Sequence, residues 1–169
     1  MPTRLRQLFS LLLPFLMVVV VPYWLLTSNF AGDTRWEAGA PIRWIARSAG
    51  VLLFAGGLAL FVWCVSLFIH MGRGTLAPWD PTDNLVASGP YQYVRNPMIL
   101  AVVVMLAGEV LFWGSLILGF YLVVFVLVNQ VYFILSEEPG LDRRFGEPYR
   151  TYKTHVPRWI PRAKPWPGK

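Results

Sequence analysis

The stretch LFWGSLILG, residues 111–119, joins two long apolar runs through the pair Gly114–Ser115. Two residues leave room only for a tight turn, so the two flanking helices are expected to run antiparallel and side by side. In such a helical hairpin, residues lie at the same height when their numbers add to about 229. Gln92 is therefore expected to lie level with Glu137.

This register brings together two polar segments that are far apart in the chain. Residues 83–97, DNLVASGPYQYVRNP, precede the first helix of the hairpin, and residues 136–162 follow the second. Gly89–Pro90 predicts a turn, Asn96 is a good N-cap, and Pro97 is tolerated in the first turn of a helix. We expect the two segments to form the walls of a pocket at one edge of a membrane.

The composition is that of a membrane protein. Hydrophobic residues make up 56% of the 169 residues and charged residues only 14%, which is too apolar for an ordinary soluble domain. We expect one all-α membrane domain, residues 1–169, in which a cytoplasmic C-terminal segment closes the pocket. A span needs about 20 apolar residues. The four predicted transmembrane helices are 8–26, 49–71, 98–113 and 116–135.

The distribution of positive charge predicts the orientation. The formal net charge is +6, and eight of the fifteen Lys and Arg residues follow Glu138. Four spans with both termini in the cytoplasm place twelve of these cations inside and three outside, as the positive-inside rule favours. The basic tail is better explained as an anchor beside anionic lipid than as a nucleic-acid site.

Polar side chains around the expected pocket are the candidate functional residues. Tyr91 and Arg95 are expected opposite the pair Glu137–Glu138, which would end the fourth span. Each polar group also has an explanation that needs no functional site. The segment before Pro97 is explained by a loop that ends where a helix begins, and Glu137–Glu138 by a helix end exposed to water. Asn129 and Phe133 share a helix face with Glu137 through their spacing of four residues, and Asn129 either pairs with a neighbouring helix or contacts a ligand.

Other ionisable residues carry less weight. Glu109 lies about 18 Å deeper than Pro97 at helical rise, so a structural hydrogen bond within the membrane is its more natural role. His70 is expected at the membrane interface. The two histidines are too sparse for a metal site, and the single cysteine, Cys64, excludes an intrachain disulfide.

The two polar blocks together resemble a known family. LVASGPYQYVRNP and EEPGLDRRFGEPYRTYKTHVPRWIPR are similar to blocks of the integral-membrane methyltransferases in the isoprenylcysteine carboxyl methyltransferase and phospholipid methyltransferase superfamily, especially its small bacterial members. The resemblance covers about residues 83–162. It implies an S-adenosylmethionine-dependent methyltransferase in a bacterial inner membrane, with the cofactor bound near the cytoplasmic surface.

The position of Arg95 and Glu138 at the expected pocket makes them the candidates for catalysis: Arg95 would orient the acceptor or bind the cofactor carboxylate, and Glu138 is the nearest candidate for a general base. The other roles are those that the resemblance implies, motif by motif. Tyr152 matches the C-terminal block together with Tyr149. The residues expected to bind the cofactor are Asp83, Asn84, Leu85, Val86, Tyr91, Asn96, Pro97, Glu137 and Tyr149.

Two departures from the family bear on the acceptor. Ile99 replaces a tyrosine of the usual motif, and Phe133 stands where the eukaryotic carboxyl methyltransferases carry an arginine that meets the substrate. A buried carboxylate needs a cationic partner. Phe133 and Asn129 are therefore expected to contact a lipophilic acceptor without a free carboxylate. A non-catalytic membrane scaffold or a small transporter-like protein is the rival hypothesis, and cofactor binding distinguishes the two.

Overall fold

The computed structural model describes residues 11–28, 39–67, 69 and 85–168, and every regular element in these ranges is helical. Six helices are numbered here in chain order. A π-helical turn, Leu16–Val20, lies within α1, and a second one, Phe133–Glu137, joins α4 to α5. The helices are α1 Leu11–Thr27, α2 Ala40–Leu67, α3 Pro97–Trp113, α4 Leu116–Tyr132, α5 Glu138–Phe145 and α6 Glu147–His155.

Two helices are long and apolar enough to cross a membrane. They are Pro41–Leu67, with 27 residues, and the continuous run Leu116–Phe145, with 30 residues. Two further apolar helices, α1 and α3, are shorter. Seventeen residues at 1.5 Å each give α3 a length of about 25 Å. The apolar character of these helices and their exposed Leu, Val, Ile and Phe side chains indicate an integral membrane protein.

The start of α2 differs from the sequence prediction. The sequence predicts the second span from residue 49, but α2 already begins at Ala40. Its first turns carry Arg47, whose guanidinium lies over the rings of Trp44 and Phe112 at 5.8 and 5.7 Å. A cation that packs on aromatic faces does not need to end an apolar helix. At its other end, α2 is described as far as Leu67, and the predicted end at residue 71 lies outside the described ranges, as do residues 68 and 70.

The chain divides into two compact units, the first made of residues 1–59 and 101–126. Its helices approach closely at glycines. A Cβ placed on Gly50 would lie 2.6 Å from the carbonyl oxygen of Gly108, and one on Gly57 would lie 2.8 Å from that of Ala101. Small residues allow helix backbones to pack at such short range inside a membrane.

The tight connection of the hairpin is also in this first unit. Gly114 takes a positive φ of 67° and its N–H bonds to the carbonyl of Val110, the usual way for a glycine to end a helix. Across the turn, a Cβ on Gly119 would lie 3.9 Å from Val110. The numbers of these two residues add to 229, as the expected register requires.

The second unit comprises residues 60–100 and 127–169 and contains both polar segments. Two apolar clusters hold it together. One is formed by Cys64, Val86 and Tyr91. The other joins the C-terminal segment through Tyr149, Tyr152, Val156 and Trp166, with Leu85, Ala87, Leu141 and Phe145 packed against it.

Candidate functional site

The segment before α3 is a compact turn fixed by a glycine. Gly89 has a φ of 58° and opens a 3-10 turn over Gly89–Gln92. A side chain at Gly89 would be strained, because its Cβ would also approach Leu67 to 3.0 Å. The helix α3 then begins at Pro97, as expected, and the carbonyl of Asn96 accepts a hydrogen bond from the N–H of Leu100.

The C-terminal segment lies along this turn and bonds to its backbone. The N–H of Arg95 donates to the carbonyl of Pro157 at 2.9 Å. In the other direction, the N–H groups of Arg162 and Trp166 donate to the carbonyls of Tyr93 and Gln92, both at 3.0 Å. The two polar blocks thus form one body, although residues 98–135 separate them in the chain.

The tyrosines of the two blocks are buried within this body. Tyr91 lies in the cluster with Cys64, to which its side chain hydrogen-bonds. Its carbonyl accepts a 2.7 Å hydrogen bond from the hydroxyl of Tyr152. The pKa of Tyr149 is raised to about 12, mainly by burial and to a smaller extent by the negative charge of Glu138. Its hydroxyl therefore stays protonated, within hydrogen-bonding reach of Arg95.

The carboxylate pair Glu137–Glu138 lies inside a continuous helix and does not end it. The sequence predicts that the fourth span stops at residue 135, but the chain continues through the π turn Phe133–Glu137 directly into α5. Pro139 follows the π turn directly, in the first turn of α5. The extra residue of a π turn changes the direction in which the following side chains point, and such turns are frequent at functional sites.

Glu138 is the centre of an ion-pair network. Its side chain is only 8% exposed, and three cations surround it. Oε1 accepts from Nε of Arg158 at 2.7 Å and also pairs with Nη2 of that residue at 2.7 Å. Nζ of Lys153 lies 2.8 Å from Oε2. These contacts join the start of α5 to α6 and to the C-terminal segment.

Arg95 completes the network but does not use all its hydrogen-bonding capacity. Its Nη1 lies 2.9 Å from Oε1 of Glu138, an ion pair without the alignment of a hydrogen bond. Its Nε is buried and has no acceptor among the described residues. The guanidinium, with 12% of its side chain exposed, therefore keeps a donor for a group outside this network.

Glu137 contrasts with its neighbour. It is half-buried, and no hydrogen bond or ion pair joins its carboxylate to another residue in the described part of the chain. Arg158 and Arg95 are close enough to act on it electrostatically. Since a buried carboxylate is costly without hydrogen-bond donors, Glu137 is the carboxylate of this pair that is suited to bind a ligand.

An aromatic contact lies one helical turn before the carboxylates in the sequence. Phe133 is 1% exposed, and its ring packs against Trp159 with centroids 5.5 Å apart. The indole N–H of Trp159 donates to Oε1 of Gln130 at 2.7 Å. The C-terminal segment thus also covers the last turns of α4.

The structure brings most of the predicted site residues into the second unit. Leu85 packs against the C-terminal cluster and Val86 is buried beside Cys64, so their side chains serve packing. The substrate role of Phe133 stays a prediction, as does that of Asn129, which is half-buried in α4. Asp83, Asn84 and His70 lie outside the described residues.

Sequence reasoning does not single out the cations that hold Glu138. In the sequence, Lys153, Arg158 and Trp159 lie in the second family-like block without an expected role of their own, and Gln130 belongs to no recognisable pattern. A usable signal is nevertheless present, because the paired Glu137–Glu138 needs more compensating charge than Arg95 alone can supply.

Comparisons with known proteins show the family of the chain. A family model described as phospholipid methyltransferase matches residues 45–148, more than half of the chain. The chain is also 33% identical to an uncharacterized protein of Haemophilus influenzae over 63 residues, which are 37% of this chain and all of that protein. No solved structure matches the chain.

Proposed function

Because the chain belongs to the phospholipid methyltransferase family, we propose that it is an S-adenosylmethionine-dependent methyltransferase. Its acceptor is a membrane-soluble molecule, lipid-like or isoprenoid, that meets the cofactor at the cytoplasmic edge of the membrane. The proposal rests on a difference between two adjacent carboxylates. Three cations form ion pairs with Glu138, whereas no ion pair or hydrogen bond in the described part of the chain engages the carboxylate of Glu137, which can therefore bind a ligand.

The residues present fit this cofactor. S-adenosylmethionine offers an ammonium group and ribose hydroxyls, which a carboxylate such as Glu137 binds, and a carboxylate, which an arginine binds. The buried Nε of Arg95, without an acceptor in the described part of the chain, is a donor of the required kind. When bound, the cofactor supplies an electrophilic methyl group on a sulfonium.

The protein's contribution is to position groups and to exclude water. Glu137 would bind the cofactor, and Arg95 would orient either the cofactor carboxylate or the acceptor. Glu138 holds Arg95, Lys153 and Arg158 in place, so we assign it to positioning in preference to general-base catalysis. Methyl transfer depends on in-line approach of the nucleophile, and fixed geometry supplies much of the rate.

The remaining cofactor contacts are proposed from the motif. Asn96 and Pro97 mark the start of α3, next to Arg95 in the sequence. The side chain of Tyr149 hydrogen-bonds to the guanidinium of Arg95. The side chains of Leu85 and Val86 pack in the two apolar clusters. Only the backbone of these two residues can therefore contact a cofactor. Asp83 and Asn84 precede it in the sequence.

The acceptor is proposed to react through a neutral nucleophile. Phe133 presents no cation to a substrate carboxylate, and its ring is covered by Trp159. Methyl incorporation from labelled S-adenosylmethionine should therefore be at least about tenfold greater into a lipid amine or thiol than into a matched prenylcysteine with a free carboxylate, because a buried unpaired carboxylate is costly. Equal incorporation into both acceptors would contradict this selectivity.

The test of the cofactor site is substitution of the carboxylate that has no partner in the described structure. Glu137→Gln keeps the size of the side chain and removes its charge. We expect S-adenosylmethionine affinity to fall by about 1–3 kcal/mol, the range for a hydrogen bond to a charged group. The measurement is isothermal titration calorimetry on protein purified in detergent.

Two glutamates provide matched controls. Glu147 belongs to the same unit but its side chain is 80% exposed, and Glu109 belongs to the other unit. Changing either to Gln should leave the affinity within about twofold of the unaltered protein, since an exposed or remote charge contributes little. Absence of cofactor binding by the unaltered protein would overturn the proposal and favour the non-catalytic scaffold.

A further inference from the structure

The C-terminal segment contains an exposed hydrophobic side chain in an unusual place. Ile160 is 79% exposed, a larger fraction than that of any other large hydrophobic side chain in the described ranges. Prolines at positions 157 and 161 flank it within VPRWIPR. Because proline fixes φ, this part of the backbone has little freedom to turn Ile160 back into the protein.

The neighbouring residue fixes the height of this segment along α4. Trp159 contacts Gln130 and Phe133, which belong to the continuous apolar helix Leu116–Phe145. Gln130 precedes Glu137 by seven residues, or about 10 Å at helical rise. The segment therefore reaches back past the ion-pair network toward the apolar part of the helix.

The surface of α4 near this contact is itself apolar and exposed. Leu127, Val131, Ile134 and Leu135 have exposed fractions of 59%, 54%, 47% and 73%. In a helix that crosses a membrane, such side chains face the hydrocarbon. Ile160 directly follows Trp159, which packs on this helix, and it is exposed like these side chains.

We propose that residues 159–161 are embedded in the bilayer, with Ile160 in contact with lipid hydrocarbon. The C-terminal segment then has two faces: backbone bonds and ion pairs hold it to the polar turn, and Trp159–Ile160 enter the membrane beside α4. Cations on either side, Arg158 and Arg162, match the sequence pattern of an interfacial anchor. The proposal rests on α4 crossing the membrane and does not depend on methyl transfer.

Fluorophore labelling at single cysteines tests this placement. Ile160→Cys is made in a Cys64→Ala background, labelled with a nitrobenzoxadiazole dye and reconstituted in phosphatidylcholine vesicles. Leu127→Cys on the exposed face of α4 is the lipid-facing control. Lys164→Cys, exposed in the same C-terminal segment, is the control for water.

The expected result is that doxyl-labelled lipid quenches the dye at position 160 to within about twofold of that at position 127, since both sites would face hydrocarbon. Aqueous iodide should quench it at least about fivefold less than the dye at position 164, because the hydrocarbon core excludes ions. Iodide quenching at 160 equal to that at 164 would overturn the proposal. Because Ile160 is exposed, its replacement leaves the buried clusters intact, and circular dichroism of each variant verifies the helical content.

Discussion

At the scale of single residues, the ion pairs around Glu138 differ from surface pairs in how much they stabilise the protein. Arg158 and Arg95 are mostly buried when they contact this carboxylate, with side-chain exposures of 19% and 12%. The pair Arg150–Asp142 is equally short, at 2.7 Å, but lies at the surface. Exposed pairs contribute little because water and salt screen them, whereas removing one partner of a buried pair leaves a poorly solvated charge.

Arg158→Met tests the buried contact. It removes both short contacts to Glu138 while keeping much of the apolar volume. We expect the free energy of unfolding to fall by about 1–3 kcal/mol, less than for an isolated buried pair because Arg95 and Lys153 remain. The measurement is reversible denaturation in mixed detergent micelles.

The surface pair provides the control for that experiment. Arg150→Met should change the free energy of unfolding by less than about 1 kcal/mol. Equal losses from Arg158→Met and Arg150→Met would mean that burial of the Glu138 network contributes nothing to stability.

Arg158 also illustrates what a sequence does not reveal about a site. The pairing of Arg95 with a carboxylate across the hairpin follows from the turn length and is present, with Glu138 as the partner. Arg158 lies in an irregular segment among seven other cations that follow Glu138. No periodicity distinguishes it there, because its position depends on backbone bonds between segments remote in the chain.

At the scale of helices, the sequence predicts the presence of the elements well and the end of α4 poorly. The paired charges followed by Pro139 and Gly140 suggest a stop after residue 135. The helix continues because the π turn Phe133–Glu137 places Glu138 among its cations, and Pro139 follows the π turn directly, in the first turn of α5. The amino-acid composition of a segment does not reveal a π turn. Tertiary contacts of Glu138, and not the local helix preference, therefore determine whether the helix continues past residue 135.

The glycine contacts in the first unit give a prediction for helix packing. Gly50→Ala would place a methyl group 2.6 Å from the carbonyl oxygen of Gly108 and 2.8 Å from the amide nitrogen of Phe112. Both are backbone atoms, so the helices must separate. We expect a loss of about 1–3 kcal/mol in the free energy of unfolding, as for other overpacked sites.

The same helix supplies a control for the glycine prediction. A methyl group at Gly56 would meet no neighbouring atom within 4 Å, so Gly56→Ala should be neutral or stabilise the protein by up to about 1 kcal/mol through its helix propensity. Thermal unfolding of both variants in one detergent makes the comparison. Similar behaviour of the two variants would contradict close packing at Gly50.

At the scale of the whole molecule, orientation in the membrane is open to a direct test. We propose four spans with both termini in the cytoplasm, from the twelve-to-three division of cations. A reporter active only on the side of the membrane away from the cytoplasm should be active when fused after Gly114 and inactive when fused after Gly168. Activity at both positions, or at neither, would contradict the hairpin between α3 and α4 as a pair of complete spans.

The hydrogen bond from Trp166 to Gln92 also has a consequence for biosynthesis. The carbonyl of Gln92 receives its N–H from a residue that is translated 74 residues later, after both helices of the hairpin have been made. Until then, Arg95 and Glu138 lack the partners that residues 153–166 supply, and the membrane-insertion machinery must accept a nascent chain with these charges still solvated. Assembly of the second unit therefore waits for residues 153–166, and the helices of the hairpin are made before the polar body exists.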